Sequence, residues 1–189
     1  LQCETMEQAS RLFSTFDAKQ NSRSKADVIR GFAVAHDVTS DLTPRLLNVL
    51  TAAVASSVWG DAYRRYSPAD QAALLFQNLE FAEWLKSILH TKEGKKAKHM
   101  IRMSVMLAMM KTWEVDPVPS TEFWTEVRDD SDAPKVSPQR VLLAFLRDAK
   151  LGAKDAKERV GEREVLVKCV QAWNAWRAND KTVKLRYNK

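Results

Sequence analysis

Residues that build tight turns, disulfide frameworks and metal sites are scarce in this chain. Its 189 residues include 5 glycines and 6 prolines, too few turn formers for a sandwich or barrel of many short strands. There are two cysteines, Cys3 and Cys169, with no CxxC pair and no Cys/His cluster at zinc-ligand spacing. Both read as free thiols of a reducing compartment, so a cytoplasmic protein is expected. The three histidines, His36, His90 and His99, lie on separate segments. His36 and Asp37 are adjacent and so point different ways on a helix; a helix-end histidine beside the C-terminal dipole is the ordinary reading. Asp129, Asp130 and Asp132 lack calcium-loop spacing and read as a solvated acidic turn. No P-loop or dinucleotide glycine pattern is present. With no catalytic set, metal ligand set or cofactor motif, the sequence leans away from an enzyme. It carries no signal peptide and no apolar run long enough to cross a membrane. It starts at Leu1 rather than Met, which suggests a piece of a longer polypeptide with part of its function elsewhere.

What the chain does have is helical periodicity. In Lys98–Trp113, Met100, Ile101, Met103, Val105, Met106, Leu107, Met109, Met110 and Trp113 leave only narrow polar seams. A helix apolar nearly all round is normally buried nearly all round. This stretch, about 98–113, is expected to be the central helix of an all-α domain of about nine helices. Met103, Met106, Leu107 and Met110 are its expected deep core.

Start signals mark the others. Thr5 with Gln8, Ser24 with Asp27, Thr43-Pro44, Ser67-Pro68 with Asp70, and Ser137-Pro138 each place a cap before an apolar-periodic run. Gly60 ends the helix begun at Pro44. Asp116-Pro117-Val118-Pro119 stops the central helix, and Ser120 or Thr121 caps a short helix after it. Glu162–Arg177 is amphipathic, with Val165, Leu166, Cys169, Val170, Trp173 and Trp176 on one arc. A single domain over 1–189 is expected, with a weak boundary near 60–67 and a basic tail at 179–189. Trp173 and Trp176 read as core rather than as a stacking platform, and the methionines as adaptable core filler. The helix pair within Ser24–Trp59 reads as core rather than as a DNA-reading helix–turn–helix, because its link is long and only Arg45 and Asn48 suit base reading.

Charge is segregated. The formal net charge is +6. Lys19, Arg23, Lys25 and Arg30 with Asp27 give +3 over 19–30; Lys92, Lys95, Lys96, Lys98 and Arg102 with Glu93 give +4 over 92–102. Arg177, Lys181, Lys184, Arg186 and Lys189 with Asp180 give +4 over 177–189, so the remainder of the chain is net −5. An acidic block, 114–132, sets seven carboxylates against Arg128 alone. Such polarity suits a backbone-binding surface, although solvated loops also carry charge runs.

Three segments, taken in order, carry a family likeness: Leu12-Phe13-Ser14-Thr15-Phe16-Asp17 with Arg23-Ser24-Lys25-Ala26-Asp27-Val28; Thr121-Glu122-Phe123-Trp124-Thr125-Glu126-Val127-Arg128-Asp129; and Lys168-Cys169-Val170-Gln171-Ala172-Trp173-Asn174-Ala175-Trp176-Arg177. Their order resembles the helical region that follows a ParB-like nuclease-type domain in phage, plasmid and bacterial proteins. The resemblance implies a DNA-transaction protein of a mobile element or its host. The α/β core of that family and its catalytic motifs are absent here, so no residue inherits a catalytic role.

The expectation is therefore a DNA-associated accessory domain that holds duplex or single strands with little sequence preference. Its phosphate contacts would come from Lys92, Lys95, Lys96, Lys98, Arg102, Arg23, Lys25, Arg30, Lys184 and Arg186. The alternative is a protein–protein interaction module, such as an inhibitor of a host nucleic-acid enzyme, docking through the acidic block.

Overall fold

A computed structural model describes residues 5, 8, 24, 27–29, 31, 44–89, 97–129, 134–148 and 160–180. Among them the architecture is all-α, with no strand. Seven α-helices have both ends described, and Gln8, Asp27, Val28, Ile29 and Gly31 are helical as the first two start signals require. No described helix is long and apolar enough to cross a membrane. The chain groups into two compact units, Leu1–Ala82 and Glu83–Lys189.

In the first unit the start signals act as read. The Gln8 amide donates to Thr5 Oγ1 at 3.2 Å. Ser24 and Asp27 cap each other reciprocally, each backbone N–H donating to the other's side chain at 3.3 Å. Helix α1 (Pro44–Trp59) opens on its proline. It buries Leu46, Leu47, Leu50, Thr51, Ala53, Val54 and Ala55, more than one side of the cylinder. The Thr51 hydroxyl is satisfied by donating to Leu47 O at 2.8 Å. Arg45 is exposed but Asn48 is half-buried, so α1 is a core helix and not a groove reader. Gly60, at φ +55°, ends it, as glycine alone does without strain. A 3₁₀ turn, Gly60–Arg65, leads to α2 (Pro68–Phe76). There Ser67 and Asp70 form a full capping box. Both the turn and α2 pack on α1. Helix α3 (Leu79–Leu89) follows, and the boundary between the units falls within it.

The second unit holds a 3₁₀ turn at Lys98–Met100, α4 (Met103–Val115), α5 (Pro117–Asp129), α6 (Pro138–Asp148) and α7 (Glu162–Arg177). Helix α4 packs on α5 and α7, and α6 packs on the same two, so the four close into a ring. On α4, residues 104–110 and Thr112 are all buried, Met106 completely. Met103 is only half-buried because it is the first helical residue.

Two boundaries differ from the sequence pattern. Helix α4 begins at Met103, not near Lys98: Arg102 is extended (φ −146°, ψ 147°) and makes no side-chain cap. Instead Glu162 Oε2, in the first turn of α7, accepts from the Ser104 amide at 3.2 Å. Helix α5 begins at Pro117, not at Ser120 or Thr121. Pro117 and Pro119 fall in its first turn, where N–H groups have no intrahelical acceptor and proline removes nothing.

One buried polar network joins α4 to α5. The Thr112 hydroxyl lies 2.9 Å from Met109 O, from Ser120 Oγ and from Trp124 Nε1. Donor counting orients it: the indole N–H donates to Thr112, Thr112 donates to Met109 O, and Ser120 therefore donates to Thr112. Thr112, Ser120 and Trp124 are each at most 3% exposed.

Two stability measurements check this core. Met106→Asp places an unpaired charge among fully buried neighbours and is expected to cost at least about 3 kcal/mol in urea unfolding. Thr112→Val keeps the volume but strands the indole N–H and the Ser120 hydroxyl, at a cost of about 2–3 kcal/mol. Thr112→Val combined with Trp124→Phe should cost less than the sum of the two single variants, because no indole donor is then left stranded.

Candidate nucleic-acid interface

Of the ten basic residues expected to contact phosphates, Lys92, Lys95, Lys96, Arg23, Lys25, Arg30, Lys184 and Arg186 lie outside the described residues. The backbone of Lys98 is in the 3₁₀ turn before α4; its side chain is outside the described set. Arg102 is described, and it is half-buried at the mouth of α4. Its positive charge reaches Cys169 on α7, whose thiol burial pushes far above the ordinary range while Arg102 opposes the shift. A thiol so protonated and fully buried is inert as a nucleophile.

Three of the seven carboxylates of the acidic block, Asp116, Glu126 and Asp129, are tied into the fold, while Asp130 and Asp132 lie outside the described residues. Asp116 Oδ2 pairs with Arg177 at 2.8 Å, so the first cation of the 177–189 run is engaged. Arg128 holds Asp129 in a two-point fork, Nε to Oδ1 at 2.5 Å and a terminal nitrogen to Oδ2 at 2.6 Å. Its other terminal nitrogen donates to Ser87 O and Ile88 O, at 3.2 and 3.1 Å. This planar fork thereby satisfies carbonyls at the end of α3 that have no helical partner. Glu126 Oε2 accepts from Gln139 Nε2 at 2.6 Å, and burial, then the neighbouring Glu122, raises its pKa above the ordinary value. Glu114 and Glu122 remain exposed.

The tryptophans of α7 pack as core. Trp173 and Trp176 stack at 5.4 Å, and Phe123 lies 5.4 and 5.6 Å from them. Phe123 and Trp124 meet edge to face at 5.1 Å. Trp173 is 5% exposed and Trp176 half-buried. Trp84 donates from Nε1 to Thr121 Oγ1 at 2.7 Å.

A different aromatic cluster is open. In the first unit the Tyr66 ring stacks on Trp59, centroids 3.9 Å apart and planes 14° from parallel. Tyr66 is still 42% exposed. Between them in sequence, Arg64 and Arg65 are exposed, with the Arg64 guanidinium 5.7 Å from the Tyr63 ring. The 3% exposed Gln71 frames the corner, its amide donating to Tyr63 O at 2.9 Å and Tyr66 O at 3.0 Å. Counting charge over long windows missed this site, since Asp61 offsets one arginine. The legible signal was Tyr63-Arg64-Arg65-Tyr66 three residues on from a helix-ending glycine, Gly60.

Among the described residues no group of three or more His, Cys, Asp or Glu is placed to hold a metal ion. Neither known protein families, nor curated proteins, nor solved structures yield a match to this chain.

Glu126 supplies a pH test. Its folded pKa lies above its ordinary value, so the folded state holds the proton more tightly than the unfolded chain. Its contribution to stability is full below the ordinary carboxylate range and is lost as pH rises through the raised value. Glu126→Gln keeps an acceptor for Gln139 without the charge. Relative to the native chain, its melting temperature is expected to be higher at pH 7, with the advantage disappearing below about pH 4, the range of an ordinary glutamate.

Proposed function

We propose that this chain is a non-enzymatic nucleic-acid-associated domain that holds phosphate backbones through its basic segments. The likeness to regions following ParB-like domains supports DNA as the ligand and a mobile element or its host as the setting. The observation that carries the reading is the separation of charge. The basic surplus is concentrated in three segments, while Asp116 and Asp129 of the acidic block are neutralised by Arg177 and Arg128. Internal pairing of those carboxylates weakens the picture of an acidic phosphate mimic. Contacts from lysine and arginine to phosphate position a protein on its ligand without reading sequence, so little sequence preference follows.

A protein partner is the second reading. Val115 and Val118 are 73% and 77% exposed on either side of the α4–α5 corner, where two large aliphatic groups face water.

Fluorescence anisotropy of labelled DNA across a salt series tests the first reading. Affinity should fall steeply with salt, by about 0.9 log units per log unit of salt for each duplex phosphate neutralised. Lys95→Ala with Lys96→Ala should weaken all sequences alike and flatten that slope by roughly 1.8. Absence of binding at low salt, with helical circular dichroism intact, leaves the protein-partner reading in front.

A further inference from the structure

We propose that the Trp59–Tyr66 corner is a stacking platform for an unpaired base, with Arg64 and Arg65 gripping the adjoining phosphates of a single strand. The inference rests on the nucleic-acid reading above, but on residues separate from its basic segments. Three features of the corner bear on it.

The first is the open ring face. Trp59 covers one side of the Tyr66 ring at 3.9 Å and Tyr66 is still 42% exposed, which makes the side away from Trp59 the place for a base. Bases stack on such a face whatever their identity, because each has a π surface.

The second is rigidity. Gly60 sets the entry to the turn at φ +55°, and the buried Gln71 amide clamps the carbonyls of Tyr63 and Tyr66. The Tyr66 amide donates to Tyr63 O at 3.2 Å, and the Ser67–Asp70 capping box follows at once. Clamping by Gln71 and the capping box fixes the backbone of this corner without any need for an exposed ring. The platform is thus held ready, and little ordering entropy is lost when a ligand arrives.

The third is the charge beside it. Arg64 and Arg65 are both exposed and directly precede Tyr66 in sequence, the Arg64 guanidinium lying 5.7 Å from the Tyr63 ring. Guanidinium groups match phosphate oxygens in a planar fork and also stack on rings. Asp61 is the opposing carboxylate of the same turn, and Asp70 is bound within its capping box. An anionic, aromatic ligand fits this combination; a fully paired duplex, whose base faces are covered, does not.

The test compares a labelled single-stranded oligothymidylate with a blunt duplex of equal length, by anisotropy on the full chain. Tyr66→Ala is expected to weaken the single strand roughly ten-fold and the duplex hardly at all, whereas Tyr66→Phe keeps the affinity. Arg64→Gln with Arg65→Gln should flatten the single-strand salt slope by about 1.4, at about 0.7 per contact. Melting curves establish that each variant is folded; if Tyr66→Ala is not, Tyr66→Leu, which keeps an apolar contact for Trp59 but has no ring face, takes its place with the same expected loss. Undiminished single-strand binding in folded Tyr66→Ala, or in its replacement Tyr66→Leu, overturns the platform while leaving the nucleic-acid reading intact. Failure of the native chain to bind either oligonucleotide at low salt overturns both.

Discussion

The second unit depends on satisfying the backbone of a helix that is buried almost all round. The N-terminal amides of α4 have no intrahelical acceptor and little access to water, and Arg102 gives them no side-chain cap. Glu162 provides the acceptor from 58 residues away in sequence. Being the first residue of α7, it also sits at the positive end of that helix's dipole. At the opposite ends, the C-cap residue Asp116 of α4 pairs with Arg177, the last residue of α7. Two helices joined start to start and end to end run parallel. Parallel neighbours bring like dipole ends together. A carboxylate at the shared N-terminal end and a guanidinium at the shared C-terminal end offset that repulsion.

The same unit commits its polar and aromatic interior to specificity of packing. Thr112 has one proton and accepts two hydrogen bonds, so each partner is satisfied only in one arrangement of α4 against α5. Methionines alone would tolerate many arrangements, because the side chain is unbranched and flexible. Buried hydroxyls and an indole N–H penalise every arrangement that leaves a donor alone. Phe123 then presents its ring to Trp124 on one side and to Trp173 and Trp176 on the other. The aromatic content that looked available for ligand stacking is thereby the cement between α5 and α7.

Legibility followed the range of the interaction. Caps that act over three residues, such as Ser24 with Asp27 and Ser67 with Asp70, are written in adjacent letters and were readable. So were the apolar arcs of α1 and α7, including the span Glu162–Arg177. The start of α4 was not, because the acceptor that determines it lies on another helix. Pro117 and Pro119 were read as stops, which is their effect in a helix interior; only the observed register shows that they occupy a first turn. Arg128 looked like a minority charge in an acidic block, and nothing local reveals that its fork closes the end of α3.

How the proposed ligand is held follows from which surfaces the core has taken. A helix that reads base edges must present several polar side chains along one solvent face. In α1 the buried face takes more than half the circumference and Arg45 is its one exposed cation. In α7 the face that bears Trp173 is closed by Phe123. The opposite face of α7 exposes Arg163, Gln171 and Asn174, too few cations to grip a duplex by themselves, so recognition under the proposed reading rests on cations at phosphates and on a ring face for a base. Both are indifferent to base identity. Under that reading, selectivity comes from the form of the nucleic acid, single or paired, and not from its order of bases.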